Sequence, residues 1–170
     1  MATPRILHSD SVACIATWQN VVVSVIAGDM DLAGMQLLAR TCRDTRAAYP
    51  SGIVTFAILE AQVPVGSKAV RDEASKLVKE IGGSILRMAI VLEANGLMAQ
   101  VLRTVIRGLN VVARNMKLVM FESVTEASRS LAPFVVRAGL TGDAALELAG
   151  AIREIRAGYA SAGSSYGAAR

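Results

Sequence analysis

The segment "IVTFAILEAQVPVGSKAVRDEASKLVKEIGGSILRMAIVL", residues 53–92, decides the fold because it reads as strand, helix and strand in succession. Residues Ile53–Leu59 are almost continuously apolar, which is typical of a strand covered on both faces. Apolar residues recur at helical spacing from Ser67 to Ile81, and Gly82-Gly83 predicts the end of that helix. Ile85–Leu92 is a second apolar run of strand length. Two strands joined by a helix predict a parallel pair with a right-handed crossover.

The same alternation extends in both directions along the chain. Upstream, the tight turn at 18–20 predicts an antiparallel hairpin, since two strands joined this closely cannot run parallel. Downstream, a helix and a short strand repeat the pattern, so most pairings should be parallel. We therefore expect an α/β fold, with an open, mixed, mostly parallel sheet of about five strands and helices packed on it. The other predicted elements are strands Ser11–Thr17, Val21–Ala27 and Leu118–Phe121, a helix that starts at Leu32 and ends at Tyr49–Gly52, and a helix over Leu97–Ala113.

Boundaries follow from proline, glycine and capping signals. Ser123 and Glu126 fit the spacing of a capping box, which predicts a helix start at that point. Pro133 should end that helix because proline has no amide hydrogen to donate. The chain then divides into a leader over 1–10, a domain over 11–132, a C-terminal helical extension over 133–157 with a helix at 143–157, and a flexible Gly/Ser/Ala tail over 158–170.

Composition narrows the classes of function. The 170 residues suit one domain, and the hydrophobic content of 53% with 19% charged residues leaves little polar surface, which favours a homodimer. A net charge of +4 without a basic run, and only 4% aromatic residues, argue against nucleic-acid binding. No apolar run reaches the length of a membrane span and no signal peptide is seen, so we expect a cytoplasmic protein. Cys14 and Cys42 lack metal or redox spacing and should be buried, free thiols.

Three segments resemble the STAS domain class, and more closely the SpoIIAA-like proteins of unknown role. These segments are "NVVVSVIAGDMD", "AIVLEANGLMAQVLRTVIRGLNVVAR" and "KLVMFESVTEASRSL", and the likeness covers about Ser11 to Leu131. The resemblance implies a switch serine at the start of the helix after the third strand. The matching corner here is Val63–Ser67, which departs from the family pattern because no Asp-Ser pair precedes the helix and a Pro and a Gly have entered.

The corner before the second helix has two interpretations. Ser67 is suited to cap the helix, with its hydroxyl accepting from an end amide. Alternatively, Ser67, Lys68 and Arg71 form a switch or anion-binding corner at the positive end of the helix. A lone Gly-Ser-Lys is not a phosphate loop, because the longer glycine-rich turn is absent.

Acidic residues follow three of the predicted strands. Asp29 and Asp31 come after the second strand, and Glu60 and Glu93 follow the third and fourth. They are expected to cap turns and helices, or to form an acid/base pair or a metal site in the crevice at the strand ends. His8 is the single histidine and lies in the predicted leader, so no nucleophile and histidine pair can be placed. We predict no catalytic residues, no cofactor and no bound metal.

Arginines and methionines offer two further patterns. On the predicted helix over 97–113, arginines recur on one face and continue just past the end of the helix. This stripe is either a solvated face or a face that docks an acidic partner or an anionic membrane surface. The methionines are expected to fill the core, or to line an adaptable apolar pocket. The arginines are Arg103, Arg107 and Arg114; the methionines are Met30, Met35, Met88, Met98, Met116 and Met120.

Three hypotheses of function follow. The first is a non-enzymatic regulatory or protein-interaction module of the STAS/SpoIIAA-like type, a homodimer through an apolar surface completed by the C-terminal helix, with an unidentified protein partner. The second is a carrier or sensor of a small apolar or anionic ligand. The third is a hydrolase or transferase that uses the acidic strand ends.

Overall fold

The computed structural model describes residues 3–60, 63–64, 66–93, 118–140 and 142–167, with side chains up to residue 160. Within these ranges the chain forms a six-stranded mixed sheet and four α-helices. The strands are β1 (Arg5–Ser9), β2 (Ala13–Trp18), β3 (Val21–Ile26), β4 (Ile53–Leu59), β5 (Ile85–Leu92) and β6 (Leu118–Phe121). The helices are α1 (Leu32–Ala48), α2 (Lys68–Ile81), α3 (Val124–Leu131) and α4 (Ala144–Gly167), with 3-10 turns at Gly82–Ser84 and Ala132–Phe134.

The six strands lie across the sheet in the order in which they occur along the chain. β1, β2 and β3 are antiparallel neighbours, and β3, β4, β5 and β6 are joined by parallel pairings. The predicted α/β class, the opening hairpin and the mostly parallel mixed sheet are therefore confirmed. The strands predicted over 53–59, 85–92 and 118–121 have the same bounds in the structure.

The prediction of about five strands and a leader over 1–10 is corrected by β1. Its sequence, RILHS, has no apolar run, and three of its five residues are exposed. Its two large apolar residues, Ile6 and Leu7, are themselves exposed, and β1 is an edge strand with a neighbouring strand on one side only. β1 nevertheless pairs with β2, with a bulge between Ile6 and His8.

Helices cover both faces of the sheet. The crossovers through α1 and α2 advance in the same direction, so right-handed connections place both helices on one face. There Met35, Cys42 and Leu77 pack against Val22 and neighbouring strand residues. α3 and α4 cover the opposite face, where the larger core is centred on Phe56 and includes Trp18, Leu131, Leu148, Ile152 and Ile155.

The last helix is longer than predicted. α4 runs from Ala144 to Gly167, so its backbone extends beyond 157 into the segment assigned to the flexible tail. Gly158, Gly163 and Gly167 have low helix propensity, but a helix already anchored by buried Ile155 can extend because each added residue gains one backbone hydrogen bond. At Gly158 the helix passes so close to β1 that an added β-carbon would lie 2.7 Å from Cδ1 of Ile6. The predicted leader and the first residue of the predicted tail are thus in contact.

Asn20, in the β2–β3 turn, joins three parts of the molecule. Its side chain is fully buried, and Nδ2 donates to the carbonyl oxygens of Gly52 at 3.1 Å and Phe134 at 3.0 Å. Its Oδ1 accepts from the amide of Val136 at 2.8 Å. The turn, the start of β4 and the segment after α3 are therefore held by one amide group, with both of its donors and its acceptor satisfied.

Two further findings concern helices. α3 begins after Ser123, whose hydroxyl accepts from the Glu126 amide at 3.2 Å, and it ends at Leu131 just before Pro133, as predicted. In the described ranges, no helix combines the length and the apolar character that a bilayer span requires. The helix predicted over Leu97–Ala113 lies outside the described residues.

Candidate functional site

The carboxyl ends of β4 and β5 bring Glu60 and Glu93 together. The amide of Glu60 donates to the Ile26 carbonyl and that of Glu93 donates to the Leu59 carbonyl, so each residue continues the ladder of its strand by one step. Because parallel strands end at the same side of the sheet, both carboxylates lie at the carboxyl ends of the strands, which is where ligands of open α/β sheets usually bind. The sequence prediction that these acids share one edge is consistent with this geometry.

Arg156, on α4, contacts both glutamates. Its Nη1 and Nη2 donate to the two oxygens of Glu93 at 2.6 and 2.9 Å, and Nη2 lies 3.6 Å from Oε1 of Glu60. About a third of each of the three side chains is exposed. The hydrogen bond to Glu93 and the nearby charges of Glu93 and Glu60 raise the pKa of Arg156, outweighing the opposite effect of its partial burial. The guanidinium therefore connects α4 to the ends of two strands.

Arg156 is a residue that the sequence analysis missed. It lies 63 residues from Glu93 along the chain, and in "AIREIRAGY" it alternates with buried isoleucines as any solvent-facing arginine of an amphipathic helix would. No local signal distinguishes it from its neighbour Arg153, which is exposed. Only the placement of α4 over the carboxyl edge of the sheet reveals its partners.

The aspartates after β3 are separate from this contact. Asp31 is the N-cap of α1, and its Oδ1 accepts from the Gly34 amide at 2.8 Å. Asp29 is exposed. Among the described residues, no group of three or more histidine, cysteine, aspartate or glutamate side chains is arranged to hold a metal ion.

A second polar group lies at the same end of the strands, in β1 and the β1–β2 turn. His8 Nε2 is 2.9 Å from Oδ2 of Asp10, and Oδ1 of Asp10 accepts from the amides of Val12 and Ala13. Burial would raise the pKa of Asp10, but these amide and histidine contacts outweigh it and the pKa lies below its ordinary value. Asp10 therefore fixes the β1–β2 turn in its ionised form. His8, placed by the sequence analysis in a leader, lies in β1 beside this turn.

The Ser67 corner has the geometry of a helix cap. Ser67 Oγ accepts from the Val70 amide at 3.4 Å, and the residue is exposed. Lys68 Nζ lies 2.7 Å from Oδ2 of its helical neighbour Asp72. Arg71 Nη1 donates to the Gly66 carbonyl at 2.5 Å. Both cations proposed for an anion site are thus directed at groups of the corner itself, while the hydroxyl remains accessible.

A charged groove lies between α1 and α2. It encloses a cavity of about 420 Å³. Arg43 is its central contact, with Nε 2.9 and 3.0 Å from the two oxygens of Glu80 and Nη2 2.8 Å from one of them. The hydrogen bond from Arg43 is the main cause of a lowered pKa at Glu80, although slight desolvation acts in the opposite direction. The lining residues are Gln36, Arg40, Arg43, Glu73, Lys76 and Glu80.

The remaining predicted residues divide between core and undescribed segments. Met30 and Met35 are buried in the core beneath α1, and Met88 packs against it. They fill the interior, which agrees with the first interpretation of the methionines. Met98, Met116 and the stripe of Arg103, Arg107 and Arg114 lie outside the described residues.

Comparison with known proteins adds no family assignment. The sequence matches no family model, and a search of curated proteins finds no match. The resemblance to STAS and SpoIIAA-like domains therefore rests on the three quoted segments and on element order.

Proposed function

We propose that this chain is a non-enzymatic module of the STAS/SpoIIAA-like type that regulates by binding another protein. The observation that carries the proposal is the groove between α1 and α2. Sites for small molecules are usually concave and mostly apolar, with a few convergent polar groups. This groove is lined entirely by long polar and charged side chains, a lining more typical of the polar rim of a protein interface.

The strand ends support the same proposal. A general acid or base must exchange a proton with a substrate and therefore needs a free position for a hydrogen bond. Both oxygens of Glu93 accept from Arg156, which also lies beside Glu60. Glu60 and Glu93, two of the acids assigned to hydrolysis or transfer, thus have a structural role that accounts for their proximity, namely attachment of α4 to the sheet.

Self-association is the second part of the proposal, and the packing of α4 constrains it. Leu148, Ile152 and Ile155 are fully buried against the chain's own sheet and are not free for a partner subunit. A homodimer would therefore use another surface. In the described ranges the exposed large apolar side chains are Ile6, Leu7, Leu32 and Leu146.

Native mass spectrometry of the protein isolated from its own host at its natural level tests the proposal. A second protein in fixed stoichiometry, or a complex of two or more copies of this chain, is the expected result. A small-molecule adduct would support the carrier hypothesis instead, and a bare monomer at all concentrations would contradict the proposal. A phosphate adduct that disappears in Ser67→Ala, but persists in the neighbouring control Ser75→Ala, would assign the switch to the corner.

A further inference from the structure

The two helices that flank the groove carry a net positive charge. α1 and α2 together contain seven lysines and arginines and four aspartates and glutamates, a net charge of +3 out of +4 for the whole chain. Both helices lie on the same face of the sheet. Their outer surface is therefore positively charged, in contrast to the acidic carboxyl edge of the sheet.

Part of this charge is paired within the groove. Arg43 holds Glu80 through a bidentate contact and lies 3.9 Å from Glu73. Lys76 is 4.0 Å from Glu73, at the limit of an ion pair. Glu73 and Glu80 thus hold the long side chains of Arg43 and Lys76 in place within the groove.

Three cationic side chains around these ion pairs have no ion pair of their own among the described residues. Arg40, Arg46 and Lys79 are exposed, and within the described part of the chain none of them has a hydrogen bond or an ion pair. Arg40 lines the groove, and Arg46 is close enough to act electrostatically on Glu80. Lys79 lines an adjoining depression of about 600 Å³ that shares Lys76 and Glu80 with the groove. The paired centre is therefore flanked by exposed positive groups.

We propose that this groove docks an acidic segment of a partner protein, with carboxylates on Arg40, Arg46 and Lys79. The inference rests on the proposed protein-binding function and names its surface and the chemistry of the partner. Complementary charge of this kind steers encounter and selects partners. A nucleic acid fits less well, because its evenly spaced phosphates would also lie over Glu73 and Glu80. A peptide can place neutral or basic residues there.

Fluorescence anisotropy at low salt tests the groove, with a short labelled peptide in which every second residue is glutamate. The test variant is Arg40→Glu/Arg46→Glu/Lys79→Glu. The matched control is Arg129→Glu/Arg137→Glu/Arg153→Glu, which reverses the same number of exposed cations on the α3–α4 side. We expect binding to weaken at least ~10-fold in the first and to stay within ~2-fold of the original in the second.

Several results would overturn the inference. These are no binding of the peptide to the unmodified protein, equal losses in both triple variants, or tighter binding of a single-stranded oligonucleotide of equal charge. Urea unfolding compares the stability of the forms, and Arg40→Gln/Arg46→Gln/Lys79→Gln should weaken binding in the same direction if the reversed variant fails to fold.

The host experiment separates this inference from the function on which it rests. If a natural protein partner still associates with the groove variant, protein binding stands and the groove is the wrong surface. If the unmodified chain has no protein partner and does not self-associate, the proposed function fails, whatever the peptide does.

Discussion

At the scale of single residues, Asn20 is the polar group on which the fold most depends. Replacing it with alanine removes the hydrogen-bond partner of the buried Gly52 carbonyl, and also those of the part-buried Phe134 carbonyl and Val136 amide. Each buried polar group left unpaired costs about 1–3 kcal/mol, so we expect Asn20→Ala to lower the free energy of unfolding by about 3 kcal/mol or more. Urea unfolding measures this change.

Gln19 provides the control for this prediction. Its Nε2 donates to the Ala138 carbonyl at an exposed position, where water can replace the lost bond. Gln19→Ala should therefore cost less than about 1 kcal/mol. Similar losses in the two variants would show that Asn20 matters for turn geometry, and not for its buried hydrogen bonds.

The two thiols give a second prediction at this scale. Cys14 and Cys42 are free and buried, and burial raises the pKa of Cys42 from 9.0 to about 12 and that of Cys14 in the same direction. The thiolate is the reactive form, so its fraction at Cys42 near pH 8 falls by about a thousandfold. We expect a disulfide reagent to find no fast-reacting thiol in the folded protein and two in denaturant. One fast thiol under native conditions would contradict the burial.

At the scale of elements, the turn between α1 and β4 requires glycine. Gly52 has φ +120°, and an added β-carbon would lie 2.6 Å from Cγ of Leu86 and 2.9 Å from the Ser84 carbonyl oxygen. Gly52→Ala combines backbone strain with a clash against β5, so we expect a loss of about 2–4 kcal/mol in the free energy of unfolding.

A variant at Gly139 distinguishes the cost of backbone strain from the cost of the clash. It also has a positive φ, +79°, but open space surrounds the position of its missing β-carbon. Gly139→Ala should show the backbone cost alone, about 1 kcal/mol. Thermal or urea unfolding compares the two variants, and equal losses would mean that the contact with Leu86 relaxes freely.

Elements also show where sequence reasoning succeeded and where it stopped. β4 and β5 are interior strands whose residues are apolar except Thr55 and Arg87, so a nearly continuous apolar run predicted their bounds. No hydrophobic pattern predicted β1, because its pairing with β2 comes from backbone N–H and C=O groups, which every sequence has. The proximity of Glu60 and Glu93 could be predicted because neighbouring parallel strands end at the same side of the sheet. Arg156 depends on how α4 crosses the sheet, which is a property of packing at long range.

At the scale of the whole molecule, stability should decrease from the centre of the sheet to β1. β3 and β4 are paired on both sides and covered by helices on both faces, whereas β1 is an exposed edge. Hydrogen exchange followed by mass spectrometry should therefore find the slowest amides in β3 and β4 and much faster exchange in β1. Protection of β1 equal to that of β4 would indicate a further partner at this edge.

The strand order also has a consequence for synthesis on the ribosome. Because the strands follow one another across the sheet, every new strand that leaves the exit tunnel finds its neighbour already present. The face bearing Trp18 and Phe56 is different, since α4 supplies much of its cover and emerges after all six strands. A nascent chain that has completed its sheet still exposes this apolar face to water, and it is then that a ribosome-associated chaperone has a surface to hold.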